Sequence, residues 1–325
     1  MLGETHVAIA DGSSGTIVIV DSAGRVLRRL GGKGAGPGEF RILHAMSRCR
    51  DGSLVAVDFA LKFVRFDARG TYRGETPASQ AESNLVGCRT AEQLVLRRDG
   101  DGLSPAVGGL HREPARLYRF RSDSLLEQTL GTFAGVEYFH SRQGPYYLDL
   151  PLGARTVAAL WDGGIYVADT DRPVVHVIQS SESLRSSEPF RRQFSIALRR
   201  LPVAPGDLRR AFDERLARIV NPETRRIVAP IFDEFPDIRE FPYLDAMVVD
   251  DSDRVWVRTF EEYGENWSRW RAFDGSGVEL GALALPAALE VIEIRDGHVL
   301  GILRDSAGAQ SVARYQLHRA SDDPR

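Results

Sequence analysis

Four polar side chains of four different chemistries hold one position in a recurring pattern. Five segments align on a short turn, at Asp51-Gly52, Ala91-Glu92, Asp162-Gly163, Ser252-Asp253 and Asp296-Gly297, and the residues seven positions earlier are His44, Asn84, Arg155, Asp245 and Leu289. An imidazole, a carboxamide, a guanidinium and a carboxylate brought to one place can fix a polar organic ligand through directed hydrogen bonds and charge. Two residues further on, the column reads Met46, Val86, Val157, Met247 and Val291, an apolar layer that closes the space beneath. The competing reading is that the four polar groups are satisfied strand ends beside ordered water.

The segments between these positions supply Asp58, Lys62, Tyr146, Tyr147, Asp169, Arg172, Glu261 and Trp267, with His111, Arg112, Tyr138, His140, Asp171, Glu262 and Tyr263 near them in sequence. Aromatic rings among mixed charges suit a sugar, a peptide or another polar ligand. They equally suit a protein partner, for which Tyr, Trp and Arg are common anchors. No nucleophile with an adjacent base is readable in the chain, so no catalytic residue is assigned. The main reading needs no cofactor.

Composition narrows the class. The 325 residues are 43% hydrophobic and 27% charged, as in a folded globular protein, and the formal charge of −3 gives no basic footprint for nucleic acid. Lysine occurs only at Lys33 and Lys62, and the arginine excess is most simply a coding bias. Cys49 and Cys88 lack the spacing of a zinc site and read as buried thiols. A disulfide between them stays open, since their units are sequence neighbours. No apolar run is long enough to span a membrane, and Met1 to Ala10 lacks the basic start and apolar core of an export signal. The expectation is a monomer.

Short strands must position these residues. HVAIAD (His6 to Asp11) and TIVIVD (Thr16 to Asp21) alternate as a hairpin, and VDSAG then turns into Arg25 to Leu30. The next unit repeats the order, with SLVAVD ending at Asp58 and FDARG ending at Gly70, about 46 residues after Gly24. That period fits four strands per blade of an all-β array. Between the units lies GGKGAGPGEF (Gly31 to Phe40), whose glycines permit positive φ and whose Phe40 reads as an aromatic plug. Asp99 to Pro114 reads as a long glycine-rich loop, Asp169 to Asp171 as a hairpin turn, and Arg191 to Arg200 as a charged edge strand. Pro205 to Asp237 breaks the period: Leu208, Phe212, Leu216 and Ile219 form one helical stripe, which predicts two short helices broken at Pro222, read either as a cap packed on the array or as a lid or partner surface.

The GAGPGEF stretch, the IYVAD and FDxxG elements, and the Phe241-Pro242 lead into AMVVDDSDRVWV resemble a bacterial six-bladed β-propeller family related to NHL-repeat proteins. The resemblance covers nearly the whole chain as one domain, outside a helical insertion at about 205–240 between blades 4 and 5. It implies six blades around a central channel, loops gathered at the channel mouth, and a periplasmic or lipid-anchored location. Regucalcin-like and gluconolactonase-like propellers hold calcium in that channel through oxygen ligands, for which the resemblance implies Asn84, Asp245 and Glu290 here; three oxygens fall short of the six or more that calcium wants, so water would complete the shell. This gives the calcium-dependent lactonase as the alternative to a non-catalytic binding scaffold. An amidating lyase of the NHL type would need a zinc set of histidines, and here only His44 falls in the inner column. Blade 1 lacks its innermost strand and blade 6 its outermost, so upstream strands, with room for an export signal, are expected in the complete protein.

Overall fold

The computed structural model describes residues 6–59, 62–77, 84–100, 108–122, 125–142, 144, 146–161, 164–179, 191–219, 221–261, 263–305 and 308–318. They form six antiparallel sheets in chain order, a six-bladed β-propeller. The first sheet is β1 (Val7–Asp11), β2 (Thr16–Val20) and β3 (Val26–Gly31). The second is β4 (Leu43–Arg48), β5 (Leu54–Asp58), β6 (Lys62–Phe66) and β7 (Tyr72–Pro77). The third is β8 (Asn84–Thr90), β9 (Gln93–Asp99), β10 (Gly109–Arg121), β11 (Leu126–His140) and β12 (Tyr147–Asp149). The fourth is β13 (Thr156–Trp161), β14 (Gly164–Asp169), β15 (Val174–Ile178) and β16 (Arg191–Ser195). The fifth is β17 (Ala246–Val249), β18 (Val255–Arg258), β19 (Trp267–Phe273) and β20 (Glu279–Pro286), and the sixth is β21 (Leu289–Arg295), β22 (His298–Arg304) and β23 (Gln310–Gln316). Among the described residues the first and last sheets have three strands each.

One turn is used repeatedly, and its chemistry explains the sequence period. In Asp-x-x-Gly the aspartate carboxylate accepts backbone N–H groups of the turn: Asp21 from Ala23 and Arg25, Asp67 from Arg69 and Thr71, Asp274 from Ser276 and Val278. The glycine that follows takes positive φ, at 76° for Gly24 and Gly70 and 90° for Gly277, where a side chain would be strained. The stretch Gly31 to Phe40 is likewise built by its own residues. Phe40 is fully buried, its N–H donates to the Gly32 carbonyl at 2.8 Å, and Glu39 accepts from the Gly36 N–H at 2.9 Å.

The chain divides into two compact units, one of Met1–Arg98 with Arg116–Thr132, the other of Asp99–Ala115 with Phe133–Arg325. In the first, Ile17, Phe40, Leu54 and Val64 pack the first sheet on the second, and Val55, Phe63, Leu94 and Phe120 pack the second on the third. Cys49 and Cys88 form a disulfide in that second cluster, with Cα atoms 4.7 Å apart, so the free-thiol reading is corrected. The neighbouring strand ends bring the two Cβ atoms within bridging reach, which residue spacing alone does not reveal. In the second unit Tyr166, Val175, Phe194, Met247 and Val255 pack sheets four and five, and Trp256, Trp270, Leu289 and Val299 pack sheets five and six.

The insertion folds as two helices, α1 (Asp207–Ala217) and α2 (Pro222–Val228), followed by a 3-10 turn over Ala229–Glu234. Asn221 caps α2 by accepting from the Glu223 and Thr224 N–H groups, and Pro222 sits at the first helical position, where it needs no N–H partner. Phe139, Leu150 and Ile231 are buried together under this cap, with Phe235 against them. The third sheet differs from the expectation. Its fifth strand and the lengths of β10 and β11 turn the C-terminal part of the supposed loop Asp99 to Pro114 into strand, and Tyr138, His140 and Tyr147 lie on strands rather than loops. Residues 101–107, the turn at Asp162-Gly163 and Glu262 lie outside the described residues.

Candidate functional site

Each column residue stands at or within one residue of the start of an inner strand: His44 in β4, Asn84 in β8, Arg155 before β13, Asp245 before β17 and Leu289 in β21. In the second unit the structure brings two of them together. Arg155 donates to the Asp245 backbone carbonyl through Nη2 at 3.2 Å and to its carboxylate through the same nitrogen. The other carboxylate oxygen accepts from Arg258 Nη2, and the Asp245 N–H donates to the Arg258 carbonyl at 2.9 Å. Arg155 is positioned by a reciprocal pair with Thr170, its N–H to Thr170 Oγ1 at 2.8 Å and the Thr170 N–H to its carbonyl at 2.9 Å.

Burial works against ionisation of Asp245, but the charges of Arg258 and Arg155 and their hydrogen bonds outweigh it and hold the carboxyl below the usual aspartate range. Two guanidinium groups therefore share one carboxylate, a local surplus of positive charge. The Arg155 side chain is 45% exposed, whereas Asp245 keeps 19% and Arg258 27%. Arg258 was missed at the sequence level; it ends the β strand opposite Ala246, and cross-strand register is its only signal.

Asp169 and Arg112 form a second pair nearby in the same unit, with Arg112 Nη1 at 3.2 Å from Asp169 Oδ2 and its Nε donating to the Gly135 carbonyl at 2.8 Å. Arg172 is exposed, and its N–H closes the Asp169 turn at 2.9 Å. Glu261 pairs with Arg269 at 3.2 Å and Arg271 at 3.4 Å, and Trp267 lies partly exposed with the Arg269 guanidinium 5.8 Å from its ring. Tyr263 packs on the stacked Phe241–Phe260 pair, and burial, then the charges of Glu214 and Asp207, push its phenol up to about 12.

In the first unit His44 and Asn84 are exposed, and the His44 ring meets Phe59 edge-on at 5.4 Å. Asp58 is fully buried and accepts from the Arg41 and Ile42 N–H groups at 2.9 and 3.0 Å, so it holds the chain entering β4 and offers nothing to a ligand. Lys62 pairs with Glu75 at 2.8 Å. The Asp58 loop-face assignment is therefore corrected, since its buried carboxylate serves the fold, and Lys62 is engaged with a carboxylate on the neighbouring strand of its own sheet.

The far end of the third sheet, in the second unit, carries a grid of side chains on one face. His140 pairs with Tyr147 and Tyr138 with Asp149 across β11 and β12. The His140 and Tyr147 rings stack at 4.4 Å and 4°, Tyr138 meets Tyr147 edge-on at 6.3 Å, and His111 of β10 lies 6.4 Å from His140. Tyr138 donates to Glu113; burial, then that bond and the charges of Glu113, Asp99 and Asp149, raise its pKa above the ordinary range. Tyr146 and Tyr147 are both exposed.

The calcium reading fits this geometry poorly. Asp245 faces two guanidinium groups whose charge repels a cation, and Glu290 pairs with Arg304 at 3.3 Å. Among the described residues no group of three or more His, Cys, Asp or Glu is placed to hold a metal ion.

No family model matches the chain, and no curated protein matches it. Solved structures resemble it at low identity. A Bacteroides fragilis protein named for presumed export gives a TM-score of 0.47 at 11% identity, over 93% of this chain and 77% of that one. The WD40 β-propeller domain of Doa1 gives 0.42 at 10%, over 97% and 91%. The dihydro-heme d1 dehydrogenase NirN gives 0.39 at 14%, over 98% and 72%.

Proposed function

We propose that this chain is a non-catalytic binding propeller and that the Arg155–Asp245–Arg258 cluster receives a carboxylate of a polar ligand, a peptide terminus or a sugar acid. The observation that carries the reading is the charge count: two guanidinium groups about one carboxylate, with Arg155 half in water while its Nε and Nη2 face Asp245, so a second acceptor would meet the remaining edge of the guanidinium. The neighbouring Arg112–Asp169 pair and Arg172 extend the same polar edge.

The Cys49–Cys88 bridge supports a location outside the cytoplasm, where such bonds form and persist. Within the described residues no helix is long and apolar enough to cross a membrane.

The test is a pair of fluorescent peptide libraries, one with free C-terminal carboxylates and one amidated, titrated by polarisation. The reading expects binding by free acids, weakened at least tenfold by amidation and by Arg155→Ala. Equal binding of both libraries, or of neither with sugar acids also inert, would overturn it.

A further inference from the structure

We propose that the grid on β10–β12 is a second, separate site and that it takes the ring of a neutral sugar, stacked on Tyr147. Tyr147 is 47% exposed with the parallel His140 ring against one of its faces, so an aromatic side chain that meets water is held from behind. That surface is fixed in place. Tyr138 braces the Tyr147 edge, and His140 Nδ1 accepts from the Gly108 N–H at 3.2 Å, which sets the imidazole orientation that the stack requires.

Beside the platform, two residues along β12 and so on the same face, Asp149 carries a carboxylate that is 59% exposed. It receives Arg215 of α1 at 2.8 Å, and that side chain is itself 42% exposed. An open ion pair of this kind adds little to stability. It does present acceptors and spare N–H donors next to a flat ring.

The combination discriminates between ligand classes. A wholly apolar ligand gains most from an enclosed pocket, and this face is open to water. A sugar ring has one apolar C–H face and a rim of hydroxyls, and so satisfies an exposed aromatic surface and an adjacent carboxylate–guanidinium pair together. Neutral sugars carry no carboxylate, so success or failure here is independent of the Arg155 cluster.

The experiment is saturation-transfer NMR on the full chain with maltose, cellobiose, lactose and N,N′-diacetylchitobiose, and with N-acetyltyrosinamide as the aromatic competitor. We expect transfer to the ring protons of at least one disaccharide, its loss by tenfold or more in Tyr147→Ala, and its retention in Tyr147→Trp. Asp149→Asn should weaken binding by several-fold while the ring protons still receive transfer. Thermal melting guards against misfolding, and an exposed residue on a short outer strand should leave it unchanged. The proposal is overturned if no disaccharide responds, if Tyr147→Ala binds as the parent does, or if N-acetyltyrosinamide is preferred to every sugar.

Discussion

Arg155, entering β13, donates to both the backbone carbonyl and the carboxylate of Asp245, entering β17, so two adjacent inner strands are joined at the residues that lead into them. The aspartate is also the N–H donor to the Arg258 carbonyl on its own sheet. One side chain thus ties two blades and anchors the charge that a ligand would meet.

Replacing that carboxylate should cost more than removing Arg155. Asp245→Asn leaves two guanidinium groups facing a neutral amide in a mostly buried place, and a loss of about 1–3 kcal/mol is expected. Arg155→Ala removes a half-exposed partner and should cost under about 1 kcal/mol. The folded pKa of Asp245 is depressed, so its stabilisation is complete above the unfolded value of about 3.9 and disappears as pH falls through the folded value. Urea unfolding at neutral pH and down the acid limb measures both effects, and Asp245→Asn should flatten the acid limb.

Asp11 gives a local acid probe. Hydrogen bonds from the Ser13 and Ser14 hydroxyls, against a small burial penalty, lower its pKa to about 2. Carboxyl-detected NMR should find it still ionised when ordinary aspartates have protonated. The double variant Ser13→Ala/Ser14→Ala should return it toward the ordinary value, and an unmoved midpoint would refute the hydrogen-bond origin.

Reduction should expose the contribution of the disulfide. It closes a loop of 39 residues, and the entropy of that closure corresponds to about 4 kcal/mol. Cys49→Ser/Cys88→Ser should unfold at clearly lower denaturant, and adding reductant to the parent should approach the same midpoint.

Glycine substitutions should separate backbone strain from crowding. Gly24 and Gly31 have φ of 76° and 74°, yet a Cβ at Gly24 meets nothing, whereas at Gly31 it would lie 2.5 Å from Phe40 Cε2. Gly24→Ala should cost about 1 kcal/mol and Gly31→Ala considerably more. Phe40→Ala, which empties the same place, should cost about 3–5 kcal/mol by thermal or urea unfolding.

The parts legible in the sequence are those where a residue type is required by local geometry. Asp21 and Gly24, like Asp67 and Gly70, mark a turn that few other residues can make, and Pro222 after Asn221 marks a helix start. The start of β10 was illegible because Gly100, Gly102, Gly108 and Gly109 give the stretch leading into it a loop composition. Gly135 is glycine for a strand reason: a Cβ there would lie 2.1 Å from the Glu113 carbonyl oxygen of the adjacent strand. In the candidate site, the column placing Arg155 and Asp245 follows from strand starts, while Arg258 and Arg215 reach their carboxylates across strands or from a helix, and spacing along the chain does not encode that.

The Asp-x-x-Gly turn carries an implication for descent. The second strand Leu54–Asp58 is covered throughout, whereas Val26 to Arg29 of an outer strand are exposed and make few packing demands on residue type. Blades constrained at their turns and covered strands, and open on their outer strands, can differ in spelling while keeping the same strand order. Ancestry in such a chain is therefore better preserved in the spacing of its turns than in residue identity.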